Sequence, residues 1–358
     1  MEKIIRVFNM KGNVVSVKPC GSGHINGTFR VQTDAQGDYI LQKINHHIFA
    51  NVDQLMGNIC AVTDYLAGQV NDPRSVLKVV RTQNNAAYCQ DDNGEYWRMY
   101  EFVQGSLSLD AAETAEDFYQ SGVGFGQFQM QLSDFPADTL HETIPHFHDT
   151  PARYETFKRA VAEDACGRLK AVQPEVDFAM AREEEAGTLM RLLAEGKLPL
   201  RVTHNDTKLN NVLLDAATRT PLCVIDLDTV MPGLAANDFG DAIRFGASTA
   251  AEDEKDLDKV EMSLELFEAF SRGFLKACGK RLTKKEIETL PLGAKIITLE
   301  CGVRFLTDYL QGDTYFATHY AGQNVDRCRT QFKLVADMEK KWDEMQAIIA
   351  RLADEYGA

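Results

Sequence analysis

Residues 204–211 read His204-Asn205-Asp206-Thr207-Lys208-Leu209-Asn210-Asn211, and they lie between two apolar runs of the chain, residues 198–202 and 212–214. A third apolar run, residues 222–225, ends at Asp226. Short apolar runs bounded by polar residues are typical of buried strands. The pattern therefore predicts a strand, a polar loop and a second strand, with one further Asp at the end of the next strand.

The spacing H-x-D-x-K-x-x-N, with a later Asp, is typical of kinase-like phosphotransferases. Phosphoryl transfer needs one carboxylate near the attacking hydroxyl and oxygen ligands that hold Mg²⁺ against the triphosphate. We assign the first role to Asp206 and the second to Asn211 and Asp226. Lys208 can then offset the charge that develops on the transferred group. The alternative is a plain polar turn, which does not account for the partner Asp226.

Length and charge limit the classes of function. A chain of 358 residues, 44% of them hydrophobic, can bury two cores, so we expect two lobes. A net charge of −15 argues against a nucleic-acid partner or an anionic membrane surface, since phosphate groups are bound by clustered Lys and Arg. No apolar run approaches the ~18 residues of a membrane span, and the first residues hold too short an apolar run for a signal peptide. We therefore expect a cytoplasmic enzyme that acts on a small molecule, with a monomer as the default.

The first hundred residues predict a small antiparallel sheet with one helix. A strand over 14–19 leads into Gly21-Ser22-Gly23-His24-Ile25-Asn26-Gly27, and a β-rich segment follows. Glycines in a hairpin allow the backbone to approach a phosphate closely. A plain turn is the alternative. We assign four residues of this loop to ATP binding: Gly21, Gly23, His24 and Asn26.

The third strand, residues 39–44, departs from the usual kinase pattern. Side chains alternate between the faces of a strand, so Gln42 rather than Lys43 falls where the phosphate-binding lysine normally stands. The helix predicted over 52–67 has no Glu to form the usual ion pair, and Asn58 lies near that position. A Gln42–Asn58 amide pair could preserve the geometry, or Lys43 could turn inward. The sequence leaves both open.

Residues 97–105 predict a strand that runs into a hinge. Backbone groups of Glu101, Phe102 and Val103 would then be available to the adenine edge of ATP. The predicted division of the chain is an N-terminal nucleotide-binding lobe, residues 1–103, and a mainly helical lobe, residues 104–358, that carries the catalytic and substrate-binding residues. The fold class expected from this order is α+β.

Four helices are predicted in the second lobe from periodic apolar residues. The first follows a capping box at Thr114 and contains Gly122, Gly124 and Gly126. Because these glycines keep a helical spacing, they indicate close packing and not a nucleotide loop. The other three helices are predicted over residues 175–195, 254–276 and 331–352.

Two further motifs have competing interpretations. Asp238-Phe239-Gly240 has the letters of a kinase metal motif but follows no apolar strand, so we expect Asp238 and Asp241 to tie the catalytic loop to a following helix. The second motif is His146-Phe147-His148-Asp149. It could ligate zinc, but no third ligand stands at a recognisable spacing, and hydrogen bonding within a loop is the favoured interpretation.

The motifs H-N-D-x-K-x-x-N and I-D-x-D resemble those of the aminoglycoside phosphotransferase and choline kinase superfamily, which has a bilobal protein-kinase-like fold. Longer motifs between Gly21 and Asp313 resemble the N-acetylhexosamine 1-kinases within it. They are G-x-G-H-I-N, Y-I-L-Q, E-T-I-x-H-F-H-D-T-P, R-V-T-H-N-D-T-K-L-N-N, I-D-L-D-T, D-F-G-D, R-F-G-A-S-T-A-x-E-D-E-K-D-L and E-C-G-x-R-F-L-x-D-Y-L-x-G-D.

The resemblance implies that ATP and Mg²⁺ are used to phosphorylate the anomeric hydroxyl of N-acetylglucosamine or N-acetylgalactosamine. We look to Asp206, Phe245, Arg304 and Tyr315 for the sugar contacts. A surface ion pair with Asp308 is the alternative for Arg304. Gln42 in place of lysine belongs to the same pattern.

Two other classes of function stay open. One is another small-molecule kinase of this fold, acting on homoserine, choline or an aminoglycoside. The other is a catalytically silent nucleotide-binding scaffold, against which the intact Asp206, Lys208, Asn211 and Asp226 argue.

Overall fold

The computed structural model describes residues 1–21, 26–35 and 37–358, which form two compact units. The first unit comprises residues 1–108, 134–145 and 211–232, and the second comprises residues 109–133, 146–210 and 233–358. Two of the predicted ATP-binding residues, Gly23 and His24, lie outside the described residues. The predicted lobe boundary at residue 103 stays a prediction.

The first unit is built on five strands: β1 (Val14–Pro19), β2 (Gly27–Thr33), β3 (Tyr39–Ile44), β4 (Cys89–Gln90) and β5 (Tyr96–Glu101). They form an antiparallel sheet in the order β1-β2-β3-β5-β4. Helix α1 (Glu2–Ile5) precedes the sheet, and helix α2 (Val52–Ala67) follows β3. The strands predicted over 14–19 and 39–44 and the helix over 52–67 are confirmed.

Strand register decides which side chains meet on the sheet. Thr28 lies opposite Gln42, and Gln42 lies opposite Arg98, so these three residues form one row across β2, β3 and β5. The neighbouring row contains Leu41 and Met99, which are fully buried in an apolar core. Because successive residues face opposite sides of a strand, Gln42 and Arg98 lie on the face away from that core.

The remaining strands are short: β6 (Ser106–Leu107), β7 (Arg201–Thr203), β8 (Val212–Asp215), β9 (Pro221–Val224) and β10 (Met231–Gly233). In the first unit, β6, β8 and β9 form an antiparallel sheet in the order β6-β8-β9. A 3-10 helix, Leu227–Thr229, follows β9. The catalytic loop therefore lies between two strands, and Asp226 follows the next strand, as predicted.

The second unit is mainly helical. Its helices are α3 (Ala115–Gln131), α4 (Thr150–Glu163), α5 (Gln173–Met180), α6 (Glu183–Ala186), α7 (Thr188–Ala194), α8 (Ala235–Gly246), α9 (Leu264–Cys278), α10 (Lys284–Leu310), α11 (Gln323–Lys340) and α12 (Trp342–Tyr356). This arrangement of a sheet-based first unit and a helical second unit confirms the α+β class. Among the described residues, no helix is both long and apolar enough to cross a bilayer.

The glycines of α3 allow close helix packing. A Cβ atom added at Gly122 would stand 2.3 Å from the carbonyl oxygen of Phe270, and one at Gly126 would stand 2.7 Å from that of Phe274. Separations this short are forbidden to real side chains, so α3 and α9 can pack at this distance only with glycine at both positions. The capping box at Thr114 is present with Asp117. Both sequence predictions for this helix are confirmed.

Three helix predictions were wrong in their extent. Residues 175–195 hold three helices because the chain turns at Arg182 and Gly187. The helix predicted from 254 begins only at Leu264, after the cap Ser263, since residues 254–262 include a 3-10 helix and a bridge between Ser248 and Met262. The helix predicted over 331–352 is divided at Lys341 into α11 and α12.

Candidate active site

Two carboxylates of α8 hold the backbone of the catalytic loop. Asp238 accepts hydrogen bonds from the backbone N–H groups of His204 and Asn205, at 2.9 and 2.8 Å. Asp241 accepts from the N–H of Thr207 at 2.9 Å. These contacts give hydrogen-bond partners to loop N–H groups that have none in a strand. A buried loop needs such partners, because an unpaired buried N–H group costs free energy. The prediction that these two carboxylates tie the loop to the next helix is confirmed.

Side chains of α3 fix the start of the same loop. The amide of Gln129 donates both to the Val202 carbonyl, at 3.0 Å, and to Asp238, at 2.8 Å. The ring of His204 is fully buried and meets Phe125 edge-on, with 5.5 Å between ring centroids. His204 is therefore an anchor of the loop.

The two predicted catalytic side chains of the loop lie together. The ammonium group of Lys208 is 2.8 Å from the Asp206 carboxylate, and the two side chains are 37% and 25% exposed, so a substrate can reach both. Burial disfavours the charge on Lys208, but the adjacent Asp206 outweighs it and raises the pKa of the ammonium group. The pair places a carboxylate and a cation within hydrogen-bond distance of each other, which fits the roles predicted for a proton acceptor and a charge-neutralising group.

Charges near Asp241 link the loop to the region of His148. Burial alone would raise the pKa of Asp241, but the charges of Arg244 and Lys208, with a smaller effect of His148, lower it. Arg244 lies 3.0 Å from Asp241 and 2.8 Å from Glu252. His148 thus stands within electrostatic range of the loop that carries Asp206.

The His146–Asp149 motif makes hydrogen bonds. Nδ1 of His148 lies 2.9 Å from the buried carboxylate of Glu300, which also accepts from the Thr150 hydroxyl at 2.6 Å. Burial opposes the charge on Glu300, but His148, Arg304 and Thr150 together lower its pKa. His146 contacts Asp149 at 3.2 Å. The hydrogen-bonding interpretation of the motif is confirmed by these contacts, although His148 is bonded to Glu300 of α10 and not within its own loop. No cluster of three metal-binding side chains is present in the described ranges.

Arg304 and Tyr315, two of the predicted sugar contacts, lie together. The guanidinium carbon of Arg304 stands 5.9 Å from the Tyr315 ring centroid and 5.4 Å from that of Phe147. Tyr315 is 63% exposed, so its ring is open to a ligand. Phe245, the third candidate, is 38% exposed and its ring lies 5.9 Å from the guanidinium of Arg244.

Asp308 is not the surface partner of Arg304 that the alternative interpretation required. It is buried, and its carboxylate accepts from the backbone N–H groups of Thr314, Tyr315 and Phe316 at 2.8–3.0 Å. Asn324 donates to the same group at 2.9 Å. Asp308 therefore fixes the segment that carries Tyr315.

In the first unit, strand pairing brings the two predicted metal ligands to neighbouring positions. Val212 pairs with Val224, and the N–H of Ile225 donates to the carbonyl of Asn211 at 2.9 Å. Asp226 follows directly, with a positive φ of 60°. An amide oxygen and a carboxylate at adjacent strand ends fit Mg²⁺, which takes one or two protein oxygens and completes its shell with phosphate and water.

The sheet residues Gln42 and Lys43 have separate partners. Lys43 forms an ion pair with Glu95 at 2.9 Å. The amide nitrogen of Gln42 donates to the Thr28 hydroxyl at 3.0 Å, and its oxygen accepts from Nε of Arg98 at 3.0 Å. Which of the two residues meets the phosphates of a nucleotide stays a prediction.

The predicted Gln42–Asn58 amide pair was wrong. The amide nitrogen of Asn58 donates to the carbonyls of His141 and Val230, at 2.8 and 3.0 Å. Its oxygen accepts from the N–H of His141 at 2.9 Å. These backbone groups use the hydrogen-bonding capacity of Asn58, so the side chain serves the segment after Asp226 and not the sheet.

The hinge residues have internal partners. The N–H of Glu101 donates to the backbone carbonyl of Lys78 at 3.0 Å, and the N–H of Phe102 donates to that of Asp38 at 2.9 Å. Contacts of these two residues with adenine would therefore use their carbonyl oxygens. Val103 is largely buried, and its carbonyl accepts from the Ser106 hydroxyl at 2.7 Å.

Arg98 and Asp228 have no counterpart in the sequence prediction. They form a buried ion pair in the first unit, and Asn26 donates to the same carboxylate at 2.6 Å. The sequence carried one signal for each: Asp228 is the second acid of I-D-L-D, and Arg98 is a charge inside an otherwise apolar and aromatic strand. A charge in such a strand must find a partner when it is buried.

The chain was compared with known families and solved structures. The phosphotransferase enzyme family (APH) matches residues 16–269, more than half of the chain. A microcompartment-associated aminopropanol kinase is 16% identical with a TM-score of 0.58, and the match covers 96% of each chain. An aminoglycoside phosphotransferase from Alicyclobacillus acidocaldarius is 12% identical with a TM-score of 0.60, covering 100% of this chain and 96% of that one.

A third similar structure is a GDP complex of aminoglycoside 2'-phosphotransferase-IIIa. It is 15% identical with a TM-score of 0.60, and the match covers 89% of this chain and 93% of that one. Identities this low show a shared fold, whereas the family match rests on the sequence itself. The chain belongs to the phosphotransferase enzyme family and has its protein-kinase-like fold.

Proposed function

We propose that the protein uses ATP to phosphorylate the anomeric hydroxyl of N-acetylglucosamine or N-acetylgalactosamine. One observation carries the proposal: R-V-T-H-N-D-T-K-L-N-N, residues 201–211, and E-C-G-x-R-F-L, residues 300–306, occur in the same chain. The first segment supplies Asp206 and Lys208, and the second supplies Glu300 and Arg304. Both resemble the N-acetylhexosamine 1-kinases.

The charges around Arg304 support a neutral acceptor. Burial and the nearby charge of Arg304 both lower the pKa of Arg153, so two like charges lie close together. Glu300, the buried acid beside them, is already engaged by His148 and Thr150. A cationic acceptor such as choline would be repelled here, because like charges in a poorly solvated region interact strongly. A sugar with an acetamido group carries no such penalty.

Aromatic rings near Arg304 suit the same acceptor. The rings of Phe147 and Tyr315 flank the guanidinium. Aromatic faces pack against the apolar C–H face of a sugar, while a guanidinium donates to its oxygens. We assign Arg304, Tyr315 and Phe245 to the sugar, with Asp206 at the reacting hydroxyl.

The catalytic step assigned to Asp206 is a proton transfer. The anomeric oxygen forms a bond to the γ-phosphorus, the bond from that phosphorus to the β–γ bridging oxygen breaks, and ADP leaves. Asp206 orients the hydroxyl and takes its proton. Because an anomeric hydroxyl is more acidic than an ordinary alcohol, late transfer suffices, and general-base help of this kind contributes ~10²–10⁴-fold. Lys208 offsets the charge on the transferred phosphoryl group.

We assign the nucleotide roles to residues of the first unit. Asn211 and Asp226 would hold Mg²⁺, which when bound offsets the charge of the triphosphate. Gly21, Asn26 and Gln42 would meet the phosphates, and residues 101–103 would meet adenine. A kinase of this type acts where ATP is supplied, so we propose a cytoplasmic location.

The test is a panel of acceptors with ATP and Mg²⁺, followed by ADP release. We expect kcat/KM for the two N-acetylhexosamines to exceed that for homoserine, choline, aminopropanol and an aminoglycoside by at least a hundredfold. Fastest turnover of an amino alcohol or an aminoglycoside would replace the proposed acceptor by that class. Nucleotide binding with no turnover of any acceptor would favour a silent scaffold.

A further inference from the structure

Arg98 has an unusual place for a charged side chain. It is 1% exposed and has the largest volume among the fully buried side chains of the described residues. It lies on a central strand, opposite Gln42 of β3. Ion pairs so deeply buried rarely add net stability, because desolvation offsets the attraction. The presence of this buried charge therefore calls for a role other than stability.

The contacts of Arg98 lead toward Asp226. Nη1 of Arg98 donates to Asp228, which lies two residues after Asp226 in the same turn. The other carboxylate oxygen of Asp228 accepts from Asn26 at 2.6 Å, and Asn26 in turn accepts from the N–H of Asn45 at 3.0 Å. One carboxylate thus joins the sheet and the end of the glycine-rich loop to the turn that carries Asp226.

Helix α2 contacts the same segment. Asn58, which stands near the position of the usual glutamate, donates to the carbonyl of Val230. Met56 of the same helix lies 4.0 Å from Nη1 of Arg98. The two positions at which the sequence departs from the lysine–glutamate pattern, Gln42 and Asn58, therefore both connect with the segment 226–230, one through Arg98 and one directly.

The turn needs such support. Asp226 has a φ of 60°, in the left-handed region that side chains other than glycine adopt only when the surrounding structure holds them there. Arg98 and Asn26 hold Asp228 on one side of Asp226. On the other side, the backbone carbonyl of Asn211 accepts a hydrogen bond from the N–H of Ile225.

We infer that Arg98 is a positioning residue for phosphoryl transfer. Through its buried pair with Asp228 it fixes the carboxylate of Asp226 for Mg²⁺ and the nucleotide. In protein kinases a strand lysine paired with a helix glutamate instead contacts the phosphates directly. The contact of Arg98 with Gln42 also orients that amide. The inference rests on the proposed use of ATP and Mg²⁺ but not on the identity of the acceptor.

The test separates positioning from stability. Replacing both partners of a buried ion pair by apolar residues often preserves stability, so Arg98→Met/Asp228→Leu is compared with the wild type. The matched control is Arg182→Met/Glu339→Leu, which removes a bidentate pair at 2.8–2.9 Å in the second unit. Calorimetry measures the affinity for AMP-PNP with Mg²⁺ and with EDTA, and thermal denaturation measures folding.

Mg²⁺ is expected to raise the affinity of the wild type for AMP-PNP. We expect this increase to be at least tenfold smaller in the folded Arg98→Met/Asp228→Leu protein and unchanged in the control variant. A gain equal to that of the wild type would overturn the inference. If the double variant does not fold, Arg98→Lys decides. It keeps a charge for Asp228 but lacks the fork that also reaches Gln42, so we expect a rise of several-fold in the Mg²⁺ concentration for half-maximal binding. An unchanged Mg²⁺ dependence in Arg98→Lys would contradict the inference.

No acceptor is present in these measurements. Failure of N-acetylhexosamines as substrates would therefore overturn the proposed function while the binding result still decides the role of Arg98. A normal Mg²⁺ gain in the double variant would overturn the inference while the proposed function stands.

Discussion

The catalytic loop of the second unit and the Asp226 turn of the first are held by different means. Asp238 and Asp241 bind the loop through its backbone, by accepting the N–H groups of residues 204, 205 and 207. The Asp226 turn is held mainly through side chains, because Asp228 meets Arg98 and Asn26 and because Asn58 donates to Val230. One backbone hydrogen bond, from Ile225 to Asn211, adds to these contacts. The contacts of Asp238 and Asp241 fix the path of the loop backbone. Those of Arg98 and Asn26 fix the carboxylate of Asp228.

The difference also concerns distance along the chain. Arg244 and Asp241, the buried ion pair of the second unit, are three residues apart on one helix. Arg98 and Asp228 are 130 residues apart and join a strand to a turn. Arg244 can form its pair as soon as α8 forms. The Arg98 pair exists only when the whole first unit is folded, so the geometry of Asp226 depends on that unit.

The largest effect on activity is expected when either of the carboxylates of Asp226 and Asp206 is removed. Asp226→Ala should abolish turnover because the triphosphate loses a ligand for Mg²⁺, and Asp206→Ala should lower kcat by about 10²–10⁴-fold. Both proteins should stay folded. Steady-state kinetics and circular dichroism measure the two properties.

The control is Asp92→Ala, since this carboxylate is 91% exposed and forms an ion pair with an exposed lysine. Near-normal turnover of Asp226→Ala at saturating Mg²⁺ would remove Asp226 from the metal site.

The next effect compares the two buried pairs directly. Arg98→Met leaves Asp228 buried with Asn26 as a donor, and breaking such a pair costs roughly 3–5 kcal/mol of unfolding free energy. Arg244→Met should cost less, because Asp241 retains the N–H of Thr207 at 2.9 Å and the charge of Lys208. Urea denaturation of both variants measures the difference. Equal losses would show that the two supports are energetically alike.

Glu300 provides a pH-dependent test within the second unit. Its pKa in the folded protein lies below the ordinary value of 4.5, so its contribution to stability is fully present above 4.5 and is lost as the pH falls through the lowered pKa. Glu300→Gln should lower the unfolding free energy by about 1.5–3 kcal/mol at neutral pH. The gap to the wild type should shrink on acidification. A gap that does not change with pH would mean that the pKa of Glu300 is the same in the folded and the unfolded protein.

The smallest effect concerns β3. Gln42→Ala removes neutral hydrogen bonds, each worth about 0.5–1.5 kcal/mol, so kcat/KM for ATP should fall about two- to tenfold. Lys43→Ala should be tolerated, because Lys43 is paired with Glu95 at a partly exposed position. The reverse ranking in steady-state kinetics would show that Lys43 turns toward the phosphates.

Local sequence signals predicted the parts of the fold that depend on neighbours in the chain. Strands 14–19 and 39–44, helix 52–67 and the cap at Thr114 were correct because alternation, periodicity and capping are local properties. The divided helices were missed for the opposite reason. The apolar stripe continues through Lys341, where the backbone leaves the helix. The ammonium group of Lys341 donates to the Met262 carbonyl at 2.8 Å, a contact with a residue distant in the sequence.

The same limit applies to the candidate site. Spacing alone made Asp206, Lys208, Asn211 and Asp226 the candidates for catalysis and metal binding, since the pattern lies within eight residues and the end of the next strand. It also separated Asp238 and Asp241 from them. It could not supply Arg98 as the partner of Asp228, because that pair depends on strand register across the first unit. For want of that information it left open an amide pair between Gln42 and Asn58 or an inward Lys43.

The proposed reaction transfers the γ-phosphoryl group of ATP to the anomeric oxygen of an N-acetylhexosamine. The protein is incubated with ATP, Mg²⁺ and N-acetylglucosamine, N-acetylgalactosamine or their methyl glycosides, and the phosphorus–proton coupling of the product is read by NMR. We predict coupling to H1 and no reaction of the methyl glycosides, whose C1 oxygen is blocked. Phosphate on C6, or equal turnover of the methyl glycosides, would contradict the claim.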